Sequence, residues 1–340
     1  MKQLICLLLV CLLLTGCVSP VAPAPQRYTA TFLELFDTVT TVVGFAESQE
    51  AFTAQANAIR DELRVYHQLF DIYESYEGVN NLKTINDAAG GEAVVVDRAI
   101  IDLLLDCKAY AALTGGTVNV AMGSVLQLWH EARNDGLDDP ANAYLPDAAA
   151  LEEAAKHTDL DRVIIDEEAS TVCITDPALR LDVGAIAKGW AAQRVAEKAP
   201  KGLLISVGGN VCATGPKDAD GTPWVVGVQD PDDGSAYLHY LYVTGGSVVT
   251  SGDYQRSYVV DGKTYHHIID LQTLYPSGYF RSVTVVCADS GLADALSTAL
   301  FVLPLEQGMA LLEQCDAMAM WMAKDGTISY SPGFEEIIRN

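Results

Sequence analysis

The residues of this chain best placed to do chemistry together are Asp182, Lys188, the adjacent His266 and His267, and the pair Asp294 and Thr298. Asp294 and Thr298 stand four apart in an apolar run that predicts a helix over residues 289–302. Their oxygens then share one helical face, with Cβ atoms about 5 to 6 Å apart. That reach suits a hard cation such as magnesium, and it equally suits an aspartate that accepts a hydrogen bond from a threonine one turn later. Lys188 lies in the first turn of a predicted helix over residues 186–199, where unpaired N–H groups and partial positive charge favour an anion such as a phosphate. Adjacent histidines in a strand point to opposite faces, so one of His266 and His267 can serve a site.

Three stretches must position these groups. In residues 181–215, Leu181 and Val183 flank Asp182 in a short predicted strand, Gly184 permits a turn, and Ile186, Trp190 and Val195 follow at helical spacing. A further strand over 203–207 runs into Gly208, Gly209 and Asn210, which reads either as a plain turn or as a place where a ligand nears the backbone. Residues 254–260 and 263–269 predict a hairpin joined by Asp261-Gly262, with the histidines and the 250–254 segment at its open end. Asp294 and Thr298 belong to the third stretch, the helix after a β-branched strand over 282–288.

Elsewhere, residues 28–45 alternate as a long strand or hairpin containing Phe36-Asp37-Thr38, and 47–70 predict a helix with Phe52, Ile59, Leu63 and Phe70 on one face. Tyr73 and Tyr76 in the following polar loop have the shape either to stack on a planar ligand or to cover the core. Asp97 caps a helix over 98–113, residues 118–123 lead to a short helix with Leu126 and Trp129, and 146–157 predict a surface helix. Strands are expected over 224–228, 237–243, 247–250 and 317–323, with a last helix over 305–314.

At 340 residues, 50% apolar and 19% charged, the chain is of globular type and long enough for a large core. A formal charge of −24 argues against a nucleic-acid surface, so any anionic ligand needs a local lysine or a metal ion. Lys2 precedes an apolar run over 4–14, too short to span a bilayer but suited to a secretory signal. The Leu14-Thr15-Gly16-Cys17 stretch is similar to a bacterial lipoprotein box, which makes 1–16 a signal peptide, Cys17 the lipidated residue and 17–27 a proline-rich tether; the alternative is an ordinary signal with a chance cysteine. The protein is then expected at the cell membrane, lipid-anchored on the extracytoplasmic face. Cys107, Cys173, Cys212, Cys287 and Cys315 match no zinc spacing and are expected to be free thiols.

Taken together, LDVGAIAKGW, ISVGGN, TSGDYQRSY with HHIID, and SVTVVCADSGLADALSTALFVL, joined by FDT and VAMGSVLQLW in the same order, resemble the ApbE family of FAD:protein FMN transferases. The resemblance runs from about Phe36 to the end and implies a T-fold-related α+β domain over 28–340, with mixed sheets, packed helices and FAD between two lobes. It implies a magnesium-dependent reaction in which the FMN half of FAD moves to a threonine hydroxyl of a protein carrying an FMN-binding domain, releasing AMP. By the same resemblance Asp294, Thr298 and the Ala185 carbonyl would hold magnesium, while Phe36, Tyr73, Ala121, Met122, Gly123, Asp182, Lys188 and Ile268 would contact FAD. His267, or His266, would take the acceptor proton, and Tyr73 and Tyr76 compete for the stacking role. Other readings of the same site are a magnesium-dependent FAD pyrophosphatase and a flavin-binding lipoprotein without catalysis.

Overall fold

A computed structural model describes residues 25–339. The signal peptide and Cys17 expected from the sequence lie outside the described residues. Strand β1 (Gln26–Leu35) returns as β2 (Thr38–Ala46) through a two-residue turn in which Phe36 and Asp37 both take positive φ, 53° and 50°. That is the turn whose twist matches a hairpin, here built without glycine. Helix α1 (Gln49–Phe70) is capped by Ser48, whose hydroxyl accepts the Ala51 N–H, and its buried stripe runs from Phe52 through Ile59 and Leu63 to Phe70.

Helix α2 (Arg98–Leu113) has the expected Asp97 cap. The helix at Met122 is longer than expected: α3 spans Gly123–Asp138. The surface helix is shorter, Ala148–Ala154 followed by a 3₁₀ turn at Ala155–His157. A small sheet of Val94–Val95, Thr171–Ile174 and Val163–Asp166 had no counterpart in the sequence reading. The strand expected around Asp182 does not form: Arg180 makes a single bridge to Met122, and the next residues run extended over the start of α3.

Helix α4 (Ala187–Lys198) leads to β3 (Leu203–Val207) and β4 (Asn210–Ala213), joined by Gly208 and Gly209 at positive φ. A ribbon of β5 (Trp224–Gln229) and β6 (Tyr237–Val243) precedes β7 (Gly246–Gly252). The hairpin that carries the histidines is reduced to β8 (Tyr258–Val260) and β9 (Lys263–Tyr265). Then follow β10 (Phe280–Cys287), α5 (Ser290–Val302), α6 (Leu305–Leu312), β11 (Ala317–Ala323) and β12 (Ile328–Tyr330).

The main sheet has eight strands in the order β1-β2-β3-β4-β7-β10-β11-β12, with antiparallel neighbours. Its largest core cluster lies beneath α1, α4 and α5. The β5–β6 ribbon packs a second cluster around Trp224, Leu241, Met320 and Phe334. A third gathers Met122, Val125 and Trp129 of α3 with Tyr258 and Val260 of the hairpin. The five cysteines of the described region are free, three of them buried. Among the described residues no helix is long and apolar enough to cross a membrane.

Candidate active site

A cavity of about 500 Å³ opens where the first and third core clusters meet, at the end of the sheet that carries the Phe36-Asp37 and Gly208-Gly209 turns. Its buried corner is built by two helices in unusually close contact. A Cβ on Gly189 of α4 would lie 2.6 Å from the Asp294 Cβ and collide with the Ser290 carbonyl, so only glycine lets α4 approach α5 this far. Gly189 lies in the first turn of α4, where N–H groups have no acceptor within the helix, and its N–H donates to Asp294 Oδ2 at 2.9 Å. Ala185, just ahead of the helix, lines the cavity.

Asp294 is 4% exposed, and Lys188 Nζ stands 3.8 Å from its Oδ2. Burial pushes the Asp294 carboxyl above its ordinary range; Lys188, the Gly189 N–H and the Asn210 amide oppose it. Among the described residues no hydrogen bond joins Asp294 to Thr298, so their spacing is not explained by a local hydroxyl-to-carboxylate bond; Thr298 lines the same cavity, half-buried. Ser297 turns away, bonding the Asp294 carbonyl and Ser251 Oγ. Nor do three His, Cys, Asp or Glu side chains converge anywhere among the described residues. The oxygens this corner offers are those of a carboxylate, a hydroxyl and the Ala185 backbone, an all-oxygen set that fits magnesium and not zinc.

Asp182 is held from both sides. Its N–H donates to the Val120 carbonyl at 2.8 Å and its Oδ1 accepts the Gly184 N–H at 2.8 Å. The segment can lie this close to α3 because Gly123 has no side chain: its N–H donates to the Arg180 carbonyl at 3.0 Å, where a Cβ would clash. Gly123 and the fully buried Ala121 therefore shape the wall from behind, while Met122 between them faces the cavity.

The two histidines separate cleanly. His266 is buried with Nε2 2.9 Å from the Ser277 carbonyl, Nδ1 accepting the Ile268 N–H at 3.3 Å, and its ring edge-on to Phe301. Neither nitrogen is left for a substrate, so His266 is a core residue. His267 lines the cavity, its Nδ1 3.2 Å from the Gln255 carbonyl. A carbonyl only accepts, so Nδ1 carries the hydrogen and Nε2 keeps a free lone pair. Although part of the ring's surface stays open to the cavity, desolvation, then the cations Arg256 and Lys188, depress its pKa to about 3. It is a neutral imidazole at physiological pH.

The outer part of the cavity is of a different kind. Tyr73 is 57% exposed, but its hydroxyl reaches inward to 2.9 Å from His130 Nδ1, and burial followed by the nearby Asp182 pushes it up to about 12. Burial lowers His130 below the usual histidine range. Arg133 and Arg256 also face this space, and among the described residues neither has a carboxylate within 4 Å. Tyr76 does not line it; its hydroxyl bonds Asp71 at 2.7 Å. Phe36, Ile268 and Lys188 do, with Phe36 fixed by its N–H donating to His67 Nδ1. The sequence reading missed His130, Arg133 and Arg256, and it named Asn210 only for its place after the Gly208-Gly209 turn, not for its side chain. The signal for two of them was present: Met122, Leu126, His130 and Arg133 recur at helical spacing along α3.

Similarity to known proteins can be set beside this geometry. A relative named FAD:protein FMN transferase, from Klebsiella pneumoniae (strain 342), is 35% identical over 275 residues, covering 78% of this chain and 83% of its own. One of the same name from Treponema pallidum (strain Nichols) is 35% identical over 277 residues, covering 76% and 75%. The crystal structure of the ApbE protein from Thermotoga maritima superposes with a TM-score of 0.82 at 31% identity, covering 93% of this chain and all of that one. The ApbE family model matches residues 36–322, which takes in the turn at Phe36, both helices of the buried corner and the His267 segment, and the chain belongs to the ApbE family.

Proposed function

We infer that the protein is an FAD:protein FMN transferase that uses magnesium and an acceptor threonine. The observation that carries this reading is the buried corner. Asp294, Thr298 and Ala185 line one cavity with Lys188, and His267, whose Nε2 is free, lines the same space. A magnesium ion held by those three oxygens would neutralise charge on the FAD diphosphate. Lys188 adds a fixed cation beside it, so in a chain of net charge −24 the diphosphate meets positive charge only locally.

The acceptor hydroxyl forms a bond to the FMN phosphorus, the bond from that phosphorus to the AMP oxygen breaks, and AMP leaves. His267 Nε2 is the group placed to take the hydroxyl proton, since its Nδ1 is already committed to Gln255. Tyr73 and Phe36 supply aromatic surface for the planar part of FAD, and Asp182 a fixed carboxylate for its polar edge. The remaining work is positioning.

Lipidation of Cys17 also belongs to this reading. The chain enters the fold at Gln26, which pairs with Ala46, at the opposite end of the β1–β2 hairpin from the Phe36-Asp37 turn at the cavity. Nine residues of β2 separate the two ends by roughly 30 Å, so an anchor at Cys17 would leave the cavity facing away from the lipid, toward a target protein.

Incubating residues 25–340 with FAD and Mg²⁺, with and without an FMN-binding domain, and following AMP release together with target mass tests transfer. A magnesium-dependent mass gain of one FMN is expected. AMP release with no adduct would replace transfer by hydrolysis, and neither signal would leave a flavin-binding protein.

A further inference from the structure

Asn210 is 2% exposed and lines the buried corner; its Nδ2 lies near enough to the Asp294 carboxylate to favour the charged form, yet among the described residues it makes no hydrogen bond of regular geometry. A buried donor left without a partner is costly, so its retention calls for a reason. The turn does not require asparagine here: Asn210 pairs with Val207 in register, and the positive φ angles belong to Gly208 and Gly209. The group the amide faces is the Asp294 carboxylate, whose Oδ2 already accepts the Gly189 N–H from α4.

We propose that Asn210 is a positioning residue for Asp294: its side-chain N–H closes a hydrogen bond to the carboxylate once a divalent cation occupies it, and with the Gly189 N–H fixes the direction of the ligating oxygen. Carboxylates that hold metals are themselves held by outer donors, and site hydrogen bonds left open in the free protein tighten on binding. Two rigid elements then grip one carboxylate, α4 through the backbone and β4 through the amide. The idea rests on the reading of Asp294 as a magnesium ligand.

The test is equilibrium FAD binding, followed by flavin fluorescence across a magnesium series, for the wild type, Asn210→Ala and Asn210→Val, both of which remove the donor without adding a charge. Loss of an outer donor typically weakens metal binding about 10- to 100-fold, so both variants should move the magnesium midpoint upward by at least about tenfold. Near wild-type FAD affinity should return at saturating magnesium for Asn210→Ala. Midpoints within about twofold of wild type, with only a lowered melting temperature, would reduce Asn210 to a packing role and overturn the proposal. Should Asn210→Ala not fold, Asn210→Val, which fills the space with a side chain at home in a strand, still decides. If wild-type FAD binding ignores magnesium altogether, the metal reading of Asp294 fails and the proposal with it, a result that no variant is needed to see.

Discussion

The two ends of the cavity differ in how they are held. The buried corner is made by α4 and α5 packed so closely that Gly189 has no room for a side chain, and its carboxylate is 4% exposed. The mouth is made by a face of α3 and by loops, with Tyr73 57% exposed and Arg133 and Arg256 without an ion pair among the described residues. Groups that handle charge sit on elements that cannot shift without disrupting the core, and groups that meet the bulk of a ligand sit where the chain can adapt. The largest break in this contrast should come from Asp294→Asn. It keeps the shape and the acceptor for Gly189 but removes the charge; transfer should fall about 10²- to 10³-fold, the cost typical of losing one fixed electrostatic contact. Because burial holds this carboxyl above its usual range, the variant should melt no lower than wild type. Wild-type turnover of FAD in Asp294→Asn would move the chemistry elsewhere.

His267 joins the two ends and should give the next largest effect. His267→Gln should lower transfer by roughly 10²- to 10⁴-fold with FAD affinity little changed, as removal of a positioned base does. The pH dependence follows from its pKa of about 3, well below the ordinary 6.5. Between those values the unfolded chain binds a proton that the folded protein refuses, so the unfolded state holds more protons and stability falls as pH drops below 6.5. Denaturant unfolding of His267→Gln should therefore lose less stability than wild type between pH 7 and 5. An equal loss would mean that the imidazole is not neutral in the folded protein.

Packing alone is probed by Gly189→Ala. The added methyl meets the Ser290 carbonyl and Asp294 Cβ, and separating α4 from α5 should cost about 1–3 kcal/mol in thermal or denaturant unfolding. It should also free the Gly189 N–H from Asp294, so the magnesium requirement for FAD binding should rise in step. A destabilised variant with an unchanged magnesium requirement would separate the packing of the corner from its chemistry.

Local rules reached the corner, whereas of the mouth the family resemblance supplied Phe36, Tyr73 and Ile268 and nothing supplied His130, Arg133 and Arg256, for a physical reason. Asp294 and Thr298 are related by helical spacing within one element, and Lys188 by its place in a first turn, so local rules bring them near a site. What periodicity does not contain is the contact between two helices about a hundred residues apart, and therefore the bond from the Gly189 N–H to Asp294 and the open amide of Asn210. His266 and His267 illustrate the same limit. Strand alternation says that they part, but only Ser277 and Gln255, supplied by other segments, say which faces the cavity. The Phe36-Asp37 turn carries no glycine to mark it, and the Asp182 segment reads as a strand by composition although no partner strand lies beside it.

Tyr73→Phe should be the mildest change and the one that measures how soft the mouth is. The substitution keeps the ring and removes only the hydroxyl that meets His130 Nδ1. Tyr73 itself stays anchored because its N–H and that of Glu74 both donate to Asp71 Oδ1, at 2.7 and 2.9 Å, and neither bond involves the side chain. A neutral hydrogen bond contributes about 0.5–1.5 kcal/mol net, less where solvent reaches the ring, so FAD affinity should weaken by no more than roughly tenfold. His130 loses its partner but remains desolvated, and its pKa should stay low. The magnesium midpoint should not move, because nothing in the corner touches this pair. A Tyr73→Phe variant whose magnesium requirement rose as far as that of Gly189→Ala would show the two ends to be one coupled unit, and the contrast between a rigid corner and an adaptable mouth would fail.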